Sequence, residues 1–357
     1  MRVAIIGAGV MGCATALALA KRGAEVVVLE RAIPGAEASS AAAGILGAQT
    51  EMHEKGKLLA GFVRARAEYA AWAEELRAAT GLDIGYRKCG AIHVARTDAE
   101  GEHAAIAVAW QKREGLEAEL LDAHSARQLE PELAADILAA AHYPEESQVD
   151  PPSLLRALLA AIGRARSVTV RAGATVSGLI VERDRCVGAY VDGGELRSDA
   201  TVLAAGAWSS LVPGVPEGAP VVRPARGQIV QLEERPPRLQ TIVVGAGAYA
   251  VPRGDGRVLC GSTIELVGFR KEVTAGGVHR ILSGALAMIP GLSEAPLVAT
   301  WSSFRPYVDA ASDHDEGVVG ASSLPGLVLA TGHFRNGILL AKLTADRVAD
   351  AILGIER

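Results

Sequence analysis

Gly7, Gly9 and Gly12 stand in the spacing Gly-x-Gly-x-x-Gly, and a carboxylate, Glu30, follows further along. These residue types in this order suit the pyrophosphate and ribose of an adenine dinucleotide. Gly7 permits a tight turn. Gly9 has no side chain, so a pyrophosphate can approach the backbone. Gly12 lets the next helix pack closely on the preceding strand. Val10 and Met11 open that helix, whose N–H groups and positive dipole end would face the phosphates. Glu30 lies where a carboxylate meets ribose hydroxyls.

The elements that must hold these residues are legible on either side. Arg2-Val3-Ala4-Ile5-Ile6 reads as a short buried strand, and an Ala/Leu-rich helical pattern then runs to Lys21-Arg22. Gly23 stops the helix, Glu25-Val26-Val27-Val28-Leu29 is a second strand, and Glu30 closes it. A glycine-rich turn in an unrelated α/β protein would not need all five parts in sequence.

At 357 residues the chain is too long for one simple core, so two domains are expected. Half the residues are hydrophobic, and the formal net charge of −5 gives no reason to expect nucleic acid or an anionic membrane. No run of about 18 apolar residues predicts a spanning helix. A strand beginning at Arg2 leaves no room for a signal peptide. Cys13, Cys89, Cys186 and Cys260 are scattered, without metal or redox spacing, and read as buried free thiols. A cytoplasmic enzyme is therefore expected.

Further along, Ala38 to Gly47 is a run of small residues, and a helix is predicted from Lys57 to Thr80, ended by Gly81. Cys89 to Ala95 reads as a strand. The charged stretch from Asp98 to Leu133 reads as helical and peripheral, with few large core residues. Asp150-Pro151-Pro152 starts another helix. Val168-Thr169-Val170, Thr175 to Val181 and Cys186 to Val191 read as a β-meander turning at Asp192-Gly193-Gly194. Thr201 to Gly206 is a buried strand, short strands dominate from Val221 to Thr300, and Leu327 to Ala330 leads through Gly332 into a helix over 336–353. The alternation predicts an α/β plus α+β chain. A discontinuous Rossmann-like cofactor domain takes residues 1–86, 141–220 and 302–357. Residues 87–140 and 221–301 build a substrate domain on a mainly antiparallel sheet.

Four motifs coincide on this frame: Ser40-Ala41-Ala42-Ala43-Gly44-Ile45-Leu46-Gly47-Ala48, Ala204-Ala205-Gly206-Ala207-Trp208-Ser209, Tyr249-Ala250-Val251-Pro252-Arg253, and Gly332-His333-Phe334-Arg335-Asn336-Gly337-Ile338-Leu339. With them the chain resembles, over essentially its whole length, the flavin-dependent glycine oxidase and D-amino-acid oxidase family, and glycine oxidase most. The resemblance implies non-covalent FAD, since no cysteine after Cys260 offers a C-terminal thiol for a covalent link. It carries the cofactor site onto Arg31, Ser39, Ser40, Ala43, Gly44, Ile45, Leu46, Val176, Gly206, Trp208 and the stretch Gly332, His333, Phe334, Arg335, Asn336, Gly337 and Ile338, beside the glycine turn and Glu30. The C-terminal helix would present its N-terminus to the pyrimidine end of the flavin.

For the substrate, the resemblance assigns Arg305, in Trp301-Ser302-Ser303-Phe304-Arg305-Pro306, as the clamp on the amino-acid carboxylate. A guanidinium fork suits that task. Tyr249 would bond the same carboxylate or shape the pocket, and Arg335 would lie beside substrate and flavin. His333 reads as scaffold, not as a base. The implied reaction takes a neutral amine, transfers hydride to flavin N5 and returns the electrons to oxygen, yielding hydrogen peroxide, a 2-oxo acid and ammonia. Glycine, sarcosine, small D-amino acids and a cyclic imino acid all suit it, and glycine oxidases commonly serve thiamine biosynthesis.

The stretch from Asp309 to Gly317 lacks a proline of the family pattern. Gly247 and Ile264 replace a bulkier polar residue and a methionine, which predicts an apolar or open pocket floor. A dehydrogenase using another acceptor, a tRNA-modifying flavoprotein, and an NAD-binding or regulatory protein are the competing readings. The peripheral lobe offers a contact surface for a homo-oligomer.

Overall fold

The computed structural model describes residues 1–52, 56, 58–245, 247–309 and 316–355. Two large sheets organise these residues. The first has six strands in the order Val318–Ala321, Leu327–Thr331, Ala200–Leu203, Arg2–Ile6, Glu25–Glu30 and Val168–Ala172. All neighbours run parallel except the first edge pair. Alternation along each strand decides what each face meets. From the first two strands, Val3, Ile5, Val26 and Val28 join a core with the helices Val10–Lys21, Leu59–Thr80, Pro151–Arg164 and Gly337–Leu353. Ala4, Ile6, Val27 and Leu29 face the other way, onto Leu179, Cys186, Ala189 and Val191. Those residues belong to a three-stranded antiparallel meander, Val176–Glu182, Arg185–Val191 and Gly194–Arg197.

The second sheet has eight strands in the order Leu297–Val308, Val222–Glu233, Arg257–Gly261, Ala248–Pro252, Ile242–Gly245, Ala91–Ala95, Ala139–Tyr143 and Glu119–Asp122. Its neighbours are antiparallel apart from Ile242–Gly245 beside Ala91–Ala95. Ala248 and Ala250 turn to the helix Ala275–Met288, while Tyr249 and Val251 turn to Ala43 and Ile229 on the other side. The expected mixture of a parallel and a mainly antiparallel sheet is what the chain builds. The second sheet runs past the expected divisions, through Tyr143 and through Val308.

Three local expectations need correction. The strand Val168–Ala172 is not part of the meander; it extends the parallel sheet beside Glu25–Glu30. The stretch from Asp98 to Leu133 is not helical throughout. The helix Asp98–Arg113, held by a capping box between Thr97 and Glu100, gives way to the edge strand Glu119–Asp122 and a short helix Ala123–Leu129. The helix Ala275–Met288 falls in the stretch from Val221 to Thr300, where short strands are expected to dominate. Its glycines obscure it in the sequence, yet one of them is a packing requirement. A Cβ on Gly277 would stand 2.3 Å from the Gln228 side-chain amide. Thr274 caps this helix, its hydroxyl accepting from the Gly277 N–H at 3.1 Å. The predicted start at Lys57 lies outside the described residues, and the helix is seen from Leu59 to Thr80, closed by Gly81 in the left-handed region.

Candidate active site

A cavity of about 470 Å³ runs between the two sheets. Its walls include the glycine turn, the small-residue run, the C-terminal loop and the strand that carries Arg305.

The turn is tightly made. Gly7 has φ +104, and a Cβ there would lie 2.5 Å from the Ala204 carbonyl oxygen. A Cβ on Gly12 would fall 1.9 Å from the Gly7 carbonyl oxygen, so the helix approaches the turn more closely than any other residue allows. Gly12 itself is not on the cavity wall; Gly7, Gly9, Val10 and Met11 are. The Val10 N–H donates to the Ser39 hydroxyl at 2.9 Å, so one of the helix's free N-terminal donors is taken within the protein. The Glu30 carboxylate accepts from the N–H groups of Ala8 and Ala32, both at 3.0 Å, which fixes it at the wall. Val176 and Gly206 line the cavity nearby. The Arg31 guanidinium sits 4.1 Å from the centroid of Trp208, whose ring stacks on Phe269.

Most of the small-residue run reaches the cavity: Ser39, Ala43, Gly44 and Ile45 are on its wall. Ser40 and Leu46 are not. The Ser40 hydroxyl donates to the Glu37 carbonyl, and Leu46 is a core residue. Gly332 is also set back, its φ of +77 bending the chain so that His333, Phe334, Arg335, Asn336, Gly337 and Ile338 line the cavity.

A cradle this free of side chains suits the diphosphate of FAD, and the pinned Glu30 carboxylate suits its ribose. The residues present therefore fit the group that the motifs imply.

Arg305 and Tyr249 line the same cavity. The strand Leu297–Val308 carries Arg305 opposite Ala225. The arginine donates through Nη1 to the Thr263 carbonyl at 3.0 Å and through Nη2 to the Ser262 hydroxyl at 2.7 Å. Gly227 makes its position possible, because a Cβ there would stand 2.1 Å from Arg305 Nη1. Gly261 does the same for Tyr249, whose phenol oxygen a Cβ would meet at 2.3 Å. Burial pushes the Tyr249 phenol above its ordinary value, while Arg305 and the hydrogen bond with Ser262 act against that rise. Tyr249 thus stays a neutral hydroxyl beside a cation.

Arg335 stands at the mouth of the cavity, and its Nη2 donates to Glu51 Oε1 at 2.8 Å. His333 is 1% exposed, and its Nε2 lies 2.9 Å from the Thr344 hydroxyl. Burial pulls its pKa down to about 3, so it is neutral wherever an enzyme works and is no acid–base group. The unfolded chain protonates its histidines near 6.5, so that state binds the proton first as pH falls. Stability from the neutral His333 is thus complete above about pH 6.5 and drains away toward pH 3. Between pH 7 and pH 5 the loss is expected to be about 1–2 kcal/mol. Thermal midpoints across that range check it, and a His333→Gln variant should show a flatter slope.

Ile264 is 51% exposed and does not line the cavity, and neither does Gly247. Tyr249, Ser262, Gly227 and Arg305 do line the cavity and bring polar groups to its wall. Residues 310–315 of the divergent stretch lie outside the described residues. No signal in the sequence marks Glu51, Gly227, Ser262 or Thr263, which form no motif and are brought together only by the fold.

The two sheets and the cavity between them define a dinucleotide-binding oxidoreductase fold. The family described as FAD dependent oxidoreductase (DAO) matches residues 2–351, and the chain belongs to it. It is 37% identical over 358 residues to the glycine oxidase of Geobacillus kaustophilus (strain HTA426), covering 98% of this chain and 92% of that protein. It is 36% identical over 356 residues to the bifunctional protein ThiO/ThiG of Nostoc sp. (strain PCC 7120 / SAG 25.82 / UTEX 2576). That match covers 98% of this chain but 52% of the relative, so the chain spans about half the length of this relative. The crystal structure of the Geobacillus kaustophilus glycine oxidase superposes with a TM-score of 0.93 at 35% identity, covering 100% of this chain and 96% of that one. Among the described residues, no helix is long and apolar enough to cross a membrane.

Proposed function

We propose that the chain is an FAD-dependent oxidase of glycine and other small amino acids. The observation that carries this reading is the Arg305 fork beside the neutral Tyr249 hydroxyl, in the cavity that also holds the glycine turn. When bound, FAD supplies a two-electron acceptor that passes its electrons to oxygen, giving hydrogen peroxide and an imine that hydrolyses to a 2-oxo acid and ammonia.

The protein's part is to bind and orient. Arg305 receives the substrate carboxylate, with Ser262 and the Thr263 carbonyl holding the guanidinium in register. Tyr249 donates its hydroxyl to the same carboxylate. Fixing the carboxylate at one end restricts the poses open to the α-hydrogen, and such positioning is the larger part of the catalysis asked of the site. His333 removes no proton, so the amine arrives neutral and the pH profile follows the substrate. Gly7, Gly9, Val10, Met11, Ser39, Ala43, Gly44 and Glu30 would hold the dinucleotide half, and the loop from His333 to Ile338 the other. The reading includes a cytoplasmic location, which the four unpaired cysteines support.

The test is a peroxide assay on the purified yellow protein with glycine, sarcosine, and D- and L-amino acids. Peroxide and glyoxylate from glycine are expected. Turnover only with an artificial electron acceptor would replace the oxidase with a dehydrogenase, and no turnover with any of these substrates would remove the reading.

A further inference from the structure

Three guanidinium groups line the cavity: Arg31 lies over the Trp208 ring, while Arg305 and Arg335 are near enough to feel one another's charge and are differently placed. Arg305 donates to neutral oxygens, the Ser262 hydroxyl and the Thr263 carbonyl, so its positive charge is left for a ligand. Arg335 is paired with the Glu51 carboxylate at 2.8 Å, and both side chains are partly exposed at the mouth. Glu51 is also close enough to influence the protonation of Tyr249 and of Arg305.

The loop bearing Glu51 is pinned from behind. Glu146 is fully buried, and its carboxylate accepts from three successive backbone N–H groups: Ala48 at 3.1 Å, Gln49 at 2.5 Å and Thr50 at 3.1 Å. Arg66 lies 3.5 Å from the same carboxylate and donates to the Gln49 side chain at 2.7 Å. Gln49 in turn bonds Gln111 at 2.9 Å. A carboxylate bound in this way holds the backbone as firmly as a turn of helix does. The residue that follows Thr50 is Glu51, so its carboxylate reaches Arg335 from a fixed base.

We propose that Glu51 sets the substrate range by neutralising Arg335, leaving Arg305 as the single available carboxylate receptor. The inference rests on the oxidase reading and names its substrate class: amino acids with one carboxylate and no second anionic group. A second carboxylate reaching the mouth would have to displace Glu51 from Arg335 or lie against its negative charge. Either costs affinity in a site partly removed from water.

The experiment uses the FAD-loaded protein and non-oxidisable acids. Binding of acetate, malonate, succinate and glutarate is followed by the perturbation of flavin absorbance, and their inhibition of glycine oxidation by initial rates. In Glu51→Gln the affinity for the best dicarboxylate relative to acetate should rise about tenfold or more. Arg335→Gln should move that ratio the opposite way, because it leaves Glu51 unopposed. Glu51→Asp, which keeps the charge, should return the Glu51→Gln ratio toward the parental one. An unmoved ratio in Glu51→Gln, or a shift of the same sign in both charge-removing variants, overturns the proposal. Should Glu51→Gln fail to hold flavin, the Arg335→Gln ratio alone decides. A parent protein that binds these acids but does not oxidise glycine would remove the oxidase reading and leave this test standing.

Discussion

Arg305→Ala is expected to lower kcat/KM for glycine by about 10²- to 10³-fold while flavin stays bound. The figure follows from losing a charge-assisted bond in a closed site, a cost of roughly 3–4 kcal/mol. The loss should appear chiefly in KM, because the carboxylate contact is made in the ground state as well as the transition state. The structure gives a reason to expect flavin retention. Arg305 bonds Ser262 and Thr263, just past the strand Arg257–Gly261, and makes no hydrogen bond with the glycine turn or Glu30 among those described. Arg305→Lys should recover only part of the activity, since a point charge cannot reproduce the fork. Steady-state kinetics beside the flavin spectrum check both, and unchanged kinetics in the alanine variant would sink the clamp assignment.

Gly12→Ala should cost the protein its flavin. The added methyl would stand 1.9 Å from the Gly7 carbonyl oxygen, and both partners are backbone, so no side chain can swing aside. The helix Val10–Lys21 must then back away from the turn, and the cradle for the diphosphate opens. Overpacking of this kind costs about 1–3 kcal/mol of stability or more, and flavin affinity should fall about 100-fold. Gly101→Ala is the control. Gly101 lies in the helix Asp98–Arg113, and a Cβ there meets nothing within 4 Å. That variant should be neutral or more stable by about 0.5–1 kcal/mol. The absorbance ratio of flavin to protein after gel filtration, with thermal midpoints, distinguishes the pair. A Gly12→Ala protein that keeps stoichiometric flavin would contradict the packing argument.

The contrast between these two residues also explains what the sequence discloses. The cofactor half is written locally: strand, glycines, helix, strand and acid succeed one another within residues 2–30, so period and turn chemistry suffice. The parallel sheet needs more, and Val168–Ala172 reads as meander because its partner lies far upstream. The substrate half is written non-locally. Arg305 could be named from its motif, but not what holds it, since Gly227 comes from another strand and Thr263 from the stretch beyond Arg257–Gly261. The helix Ala275–Met288 is hidden by its glycines, one of which, Gly277, is required by Gln228 on a different element. Glu146 reads as one acid among many until the backbone of Ala48, Gln49 and Thr50 is seen to wrap it.

The order of strands in the parallel sheet has a consequence for synthesis. The opening strand Arg2–Ile6 lies between Glu25–Glu30 and Ala200–Leu203, and the latter is flanked in turn by Leu327–Thr331. The helix that leads on from the glycine turn packs against Gly337–Leu353, the last helix of the chain. On the ribosome, the first thirty residues emerge early, yet Ala200–Leu203 and the helix Gly337–Leu353 join them only about two hundred and more than three hundred residues later. The antiparallel sheet needs nothing beyond Val308 and can assemble while the nascent chain is still growing. The cavity is therefore completed only once the loop from His333 to Ile338 has been made, and a product that stops short of it forms no competent flavin site.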